Sequence, residues 1–203
     1  MSTKYLAHIT TKENCEKIIL NSHFNISVHS RKANQWLGDG IYFWDANDDN
    51  ALKLGYRMVK NKTGNKSEPI QKISFLVNVD DEKHVNLEFD EWNKKFKEFL
   101  ENSNQEGKKL LEMLNLLKIN DYVSPKYLNK IGFAFGNSVN LFIKMLLDNN
   151  IEIDMVSHYF YHKRRKGMLF SREELCYRQF CIKNPILVNS IDVKRWFVDD
   201  MEG

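Results

Sequence analysis

The 203-residue sequence predicts an α+β fold, with a sheet drawn from both ends of the chain and a block of helices between them. Three observations carry this. Ile41-Tyr42-Phe43-Trp44 is an unbroken β-branched and aromatic run following the turn Leu37-Gly38-Asp39-Gly40, and residues 73–79 have the alternation of a strand. From residue 87 the pattern changes: Phe89, Trp92, Phe96 and Phe99 recur at helical spacing, as do Leu110, Leu111, Leu114 and Leu117. Strand character returns over 153–161 and again over 174–183.

Taken in order, Tyr5-Leu6-Ala7-His8-Ile9 reads as a short strand with His8 near its end. Thr10-x-x-Glu13 has the form of a capping box, and Cys15, Ile18 and Ile19 supply the apolar stripe of the helix it would start. Residues 21–36 are polar and read as a loop with at most one strand. Gly38 and Gly40 then allow positive φ and a close approach of the backbone to a ligand. A helix over about 47–60 carries Ala51, Leu54, Met58 and Val59, and a polar loop follows to Pro69. Ser124-Pro125 starts a further helix with Val139, Phe142, Ile143, Leu146 and Leu147 on one face. Residues 1–203 thus read as a single domain with a helical insertion at about 88–150, expected to pack as a layer on the sheet. Pro185 limits the strand before it, and residues 191–198 close the chain.

Composition is that of a globular protein: 42% hydrophobic, 28% charged, formal net charge +3. There is no charged segment leading into an apolar one at the start and no apolar run long enough for a bilayer, so no membrane association is expected. Three cysteines without framework spacing predict a reduced, cytoplasmic protein. Cys176 and Cys181 fall on opposite faces of one strand and cannot share a metal; His158 and His162, four apart on a strand, are too distant to chelate one. No zinc-ligand spacing, P-loop or nucleophilic triad signature is present, and no metal is expected.

His8-Ile9-Thr10, an apolar helix, Gly38-Asp39-Gly40-Ile41-Tyr42-Phe43 and Tyr177-Arg178-Gln179-Phe180-Cys181-Ile182 follow one another in an order that resembles the ADP-ribosyltransferase superfamily. The branch is the poly(ADP-ribose) polymerase and diphtheria-toxin-like one, with histidine, tyrosine and glutamate on three separated strands. The chain is also similar to small bacterial ADP-ribosyltransferase toxins. About 60 residues at the start and about 15 near the end carry the resemblance, by count along the sequence; the helical middle lies outside it. It implies a split antiparallel sheet with flanking helices, and NAD as co-substrate. It also implies a cofactor site of His8, Thr10, Gly38, Gly40, Tyr42, Ala51 and Tyr56, with Tyr42 stacked on nicotinamide and His8 bonded to a ribose hydroxyl. Read without the resemblance, His8 is more readily a satisfied histidine at a strand end, and Tyr42 a core aromatic that any strand could supply.

The family's glutamate position falls on Gln179. An amide can orient a ribose hydroxyl but cannot act as general base. That argues against chain elongation and for a single transfer or hydrolysis. Glu173 and Glu174 lie just upstream as candidate carboxylates, Glu173 sharing strand parity with Gln179, while Ser171-x-x-Glu174 is also a capping-box match. The dense basic run Lys163-Arg164-Arg165-Lys166 is either a solvated hairpin tip or a phosphate-binding loop for an acceptor. The expected function is NAD-dependent mono-ADP-ribosylation of a macromolecule, RNA or DNA narrowly ahead of protein, by a toxin of a toxin–antitoxin or anti-phage system with an antitoxin protein as partner. NAD glycohydrolysis and a degenerate NAD- or ADP-ribose-binding module stay open beside it.

Overall fold

Strand β1 (Ser2–Thr11) runs directly into helix α1 (Lys12–Asn21), and Thr11 is the joint between them. Its hydroxyl accepts from the Asn14 backbone N–H at 3.4 Å, so the helix cap sits one residue later than the Thr10-x-x-Glu13 pattern predicts. The reason is the ladder: Thr10 and Thr11 are both still paired with the next strand, at Gln71 and Ile70, so the helix begins only after Thr11. The computed structural model describes residues 1–30, 35–63, 68–103, 105–119, 125–161 and 176–201.

After the glycine turn come β2 (Ile41–Asp45) and α2 (Asp49–Lys62), the latter capped by Asp48, whose carboxylate accepts from the Asn50 and Ala51 N–H groups. β3 (Ile70–Val79) returns along β1 over its full length. A three-residue strand β4 (His84–Asn86) leads into α3 (Asp90–Asn102), α4 (Gln105–Ile119) and α5 (Pro125–Asp148). The chain then forms β5 (Met155–Tyr161), β6 (Cys176–Ile182), the single turn α6 (Ile186–Asn189) and β7 (Phe197–Met201).

These strands make one sheet in the order β4-β5-β6-β2-β1-β3-β7. The expected split antiparallel sheet is therefore corrected to one hydrogen-bonded series, mixed because β4 and β5 run parallel. β4 escapes sequence reading because it has only three residues, two of them the buried polar His84 and Asn86, and no alternation can show in so short a run.

The period of two along each strand divides the apolar side chains between two cores. Ile9, Trp44, Val156, Tyr177 and Cys181 face one side, where Phe96, Leu100, Phe135 and Phe142 of the helical block cover them. Leu6, Phe43, Phe75 and Phe180 face the other, under Cys15 and Ile18 of α1, Phe24 and Trp196. The first is called the helical face below, the second the α1 face. Among the described residues no helix is long and apolar enough to cross a membrane.

Candidate functional site

β1, β2 and β6 are neighbours at the centre of the sheet, and they carry His8, Tyr42 and Gln179. Ala7 lies opposite Trp44, Trp44 opposite Gln179, and Tyr42 opposite Cys181. The three backbones thus fall within two strand spacings, about 10 Å. Their side chains diverge. The His8 ring packs edge-on to Phe24 and Phe43, at 5.3 and 5.7 Å between centroids, on the α1 face. Tyr42 packs against the helical-face core, and Gln179 shares the parity of Tyr177 and Cys181 on that same face. The expectation of one cleft lined by all three side chains is corrected accordingly. Tyr42 and Phe43 are consecutive on a strand and must point opposite ways, and it is Phe43 that meets His8.

The glycine turn has an internal explanation. Gly38 has φ +75° and Gly40 φ +153°. A Cβ on Gly38 would strike the Asn140 side chain and come within 3.0 Å of the Gly136 carbonyl on α5; one on Gly40 would lie 2.6 Å from the Ile182 carbonyl. What approaches these glycines closely is the protein itself. The turn is also fastened by side chains. The Tyr42 hydroxyl donates to Gly38 O at 2.7 Å and accepts from Leu37 N at 2.9 Å. The Lys183 ammonium donates to Leu37 O and Asp39 O at 2.6 and 2.5 Å, and Asp39 N donates to Asn140 Oδ1 at 2.8 Å. Burial pushes the Tyr42 phenol far above its ordinary range, so it stays a neutral donor. Ala51 is fully buried in the helical-face core, and Tyr56 packs partly against it with Lys60 over its ring.

An open concavity lies on the other face. A cavity of about 460 Å³ is lined by His8 and Thr10 of β1, by Asn14, Lys17, Ile18 and Asn21 of α1, and by His23, Phe24, Asn25 and Ser27. Residues 8 and 10 share a strand face, and 14, 17, 18 and 21 share a helix face, so the β1–α1 joint builds two of its walls. The third wall is held by Ser27, which exchanges backbone bonds of 2.8 and 3.0 Å with Gly40, and by Asn189 of α6, which accepts from Phe24 N at 2.9 Å. Among the described residues no carboxylate lines this cavity, and Lys17 is the one lysine or arginine that does. Of the residues singled out in the sequence, His8 and Thr10 line it.

His8 has a defined protonation state there. Burial lowers its pKa, and the bond to Tyr42 O at 3.0 Å offsets this only in part, so the imidazole is neutral near pH 7. A carbonyl oxygen can only accept, so Nδ1 carries the proton and Nε2 is left as an acceptor. That is the form suited to a sugar hydroxyl. Sequence reading missed Asn14, Lys17, His23, Asn25 and Ser27. The signal for the first two was their i, i+3 spacing on the helix after His8-x-Thr10; the others lay in a polar stretch with no periodicity.

Gln179 lies between Trp44 on β2 and His158 on β5. His158 Nδ1 is 2.5 Å from the Glu88 carboxylate, which also accepts from Tyr159 N at 3.1 Å. Burial pushes the Glu88 carboxyl up, but the contacts with His158 and Tyr159 outweigh it and hold the pKa below its usual range. Glu88, in contact with Gln179's strand neighbour His158, is a carboxylate that sequence reading did not identify. A larger cavity, about 520 Å³, opens beside Asp39, Asn140, Lys144, Glu152, Asp154 and Lys183. Among the described residues its three carboxylates outnumber its two lysines, and none of His8, Tyr42 and Gln179 lines it. Lys163, Arg164, Arg165, Lys166, Glu173 and Glu174 lie outside the described residues. Among the described residues no group of three His, Cys, Asp or Glu side chains is placed to hold a metal ion. No family model, no curated protein and no solved structure matches the chain.

Proposed function

We propose that the protein is an NAD-dependent mono-ADP-ribosyltransferase that takes NAD into the His8 cavity. One observation carries this reading: His8 and Thr10, the first pair in the ADP-ribosyltransferase-like motif, line a cavity that has no carboxylate among the described residues, and His8 is held there as a neutral acceptor. A cavity of about 460 Å³ is within the range of small-molecule sites. Cleavage of the nicotinamide–ribose bond passes through an oxocarbenium-like sugar, which needs the ribose oriented and the charge offset more than it needs a strong base. His8 Nε2 would accept from a ribose hydroxyl. The Gly38–Gly40 turn, held by Tyr42 and Lys183, would fix the adjoining wall through the Gly40–Ser27 pair. With no carboxylate lining the cavity among the described residues, single transfer fits better than chain elongation. Nucleic acid is the favoured acceptor, on the basic run at 163–166, and the biological setting that fits a chain of this kind is a cytoplasmic toxin with a protein antitoxin.

A second reading has its own observation. Tyr42 and Gln179 face away from the His8 cavity, and no acid among the described residues lines it, which favours a module that binds NAD or ADP-ribose without turning it over. NAD labelled in the adenylate half separates the cases. Label on RNA, DNA or protein supports the transferase, and label in free ADP-ribose alone supports a glycohydrolase. Intact NAD that nevertheless binds, measured by calorimetry, supports the module; absence of binding overturns both readings.

A further inference from the structure

Lys17 is placed to do something the function above does not require of it. It projects from α1 into the wall of the His8 cavity, and its ammonium rests on Glu13 Oε1 at 2.5 Å, one helical turn back. Both side chains are mostly exposed, 61% for Lys17 and 69% for Glu13. Such an i, i+4 pair is weak and exchangeable, worth at most about a twofold bias in a local equilibrium. Among the other polar groups on the wall, which include His8, Thr10 and His23, the side chains of Asn14, Asn21, Asn25 and Ser27 are neutral and each can donate a hydrogen bond. Among the described residues the cavity therefore carries one exposed lysine, several neutral donors and no acid, while Glu13 stands just outside it.

We propose that Lys17 is the phosphate-binding residue of this cavity, parked on Glu13 in the free protein and transferred to a phosphate oxygen when a nucleotide enters. The inference rests on the reading of the cavity as a nucleotide site, but not on catalysis. Asn14 and Asn21 flank Lys17 on the same helix face and supply donors to the remaining phosphate oxygens. Glu13 acts as a counter-charge that keeps Lys17 extended along α1 and must be released for binding, so it opposes ligand affinity while supporting the empty state. No bond is made or broken; an ammonium exchanges a carboxylate for a phosphate.

Calorimetry with ADP, adenosine and inorganic pyrophosphate tests this, at low and high salt, alongside NAD turnover. ADP is expected to bind more tightly than adenosine, and Lys17→Met to weaken ADP on the order of tenfold while leaving adenosine unchanged, since one charge-assisted bond is lost. Glu13→Gln is expected to tighten ADP by up to about twofold, the bias its pairing imposes. Lys12→Met removes the same charge from the same helix outside the cavity and is expected to have no such effect. ADP affinity unchanged in Lys17→Met, or lowered equally in Lys12→Met, overturns the assignment. NAD turnover that continues in Lys17→Met with ADP affinity intact refutes the phosphate role and leaves the transferase standing. ADP binding that depends on Lys17 in a protein with no turnover does the reverse.

Discussion

Tyr42→Phe removes one oxygen and so isolates what the phenol does. The hydroxyl donates to Gly38 O and accepts from Leu37 N, and Leu37 is fully buried, so water cannot stand in for the lost partner. Leaving a buried donor and acceptor unpaired costs roughly 1–3 kcal/mol, and the ring itself, packed on the helical-face core, is retained. About 2 kcal/mol is the expected loss, which for a chain of this size lowers the melting temperature by about 4–8 °C. A second fastening of the same turn exists in Lys183, whose ammonium holds Leu37 O and Asp39 O. Lys183→Met combined with Tyr42→Phe is therefore expected to deviate from additivity by about 0.5 kcal/mol or more. Denaturant melts of the two single variants and the double variant measure this. If Tyr42→Phe melts with the parent, the phenol does not hold the turn, and the ring alone must explain the tyrosine. NAD turnover adds a second readout: a ring that only stacked on nicotinamide would make Phe silent, whereas a turn-fastening phenol makes Phe impaired.

Gly38→Ala combines a left-handed backbone with a collision against Asn140, and should cost about 2–5 kcal/mol by chemical denaturation; with Asn140→Ala in the same chain the loss should be less than the sum of the two. His84 is buried and bonded to Ser157, and burial, helped by Lys4 and Arg178, lowers its pKa from 6.5 to about 4. Because the folded-state value is the depressed one, stability is full above pH 6.5 and falls as the pH drops toward 4, by up to about 3 kcal/mol; His84→Gln should flatten that part of a stability–pH profile. Gln179→Ala should leave NAD affinity unchanged in calorimetry, since the side chain lies on the face away from the cavity, while His8→Ala should weaken it on the order of tenfold through the lost hydroxyl partner.

How much of this was legible in the sequence depends on whether the information is local. β2 and β3 were readable from β-branched and aromatic content, and α3 to α5 from the spacing of Phe96, Phe99, Phe142 and Leu146, because each pattern is complete within its own segment. The glycine turn was readable as a turn. What fills the space beside it was not, because Asn140 and Gly136 arrive from a helix a hundred residues away. The cap of α1 was missed by one residue because two threonines compete, and the ladder to β3 runs through both and ends only at Thr11. The facing of His8 and Tyr42 needs the β1–β2 register, and a shift of one residue reverses it; no residue in either strand announces that register. The cavity was hidden for a related reason. Asn14, Lys17 and Asn21 look like the solvated face of a short helix until the segment 23–27 is folded over them.

The two faces are not independent, and Tyr42 is where they meet. Its carbonyl accepts from His8 Nδ1 and so sets the tautomer of the cavity histidine on the α1 face. Its hydroxyl fastens the Gly38 turn on the helical face. The turn ends in Gly40, whose backbone pairs with Ser27 on the cavity wall. A side-chain substitution at 42 leaves the carbonyl in place, so any effect it has on ligand affinity must travel through the turn and the Gly40–Ser27 pair. This makes the stacking and fastening roles separable without a bound ligand. Native-state hydrogen exchange of the Ser27 amide should accelerate in Tyr42→Phe if the turn carries the coupling, because loosening Gly40 opens the 2.8 Å bond that Ser27 N donates to it. An unchanged Ser27 amide, together with lost NAD binding in the same variant, would show that the phenol acts on the ligand directly and that the glycine turn is not the connection between the faces.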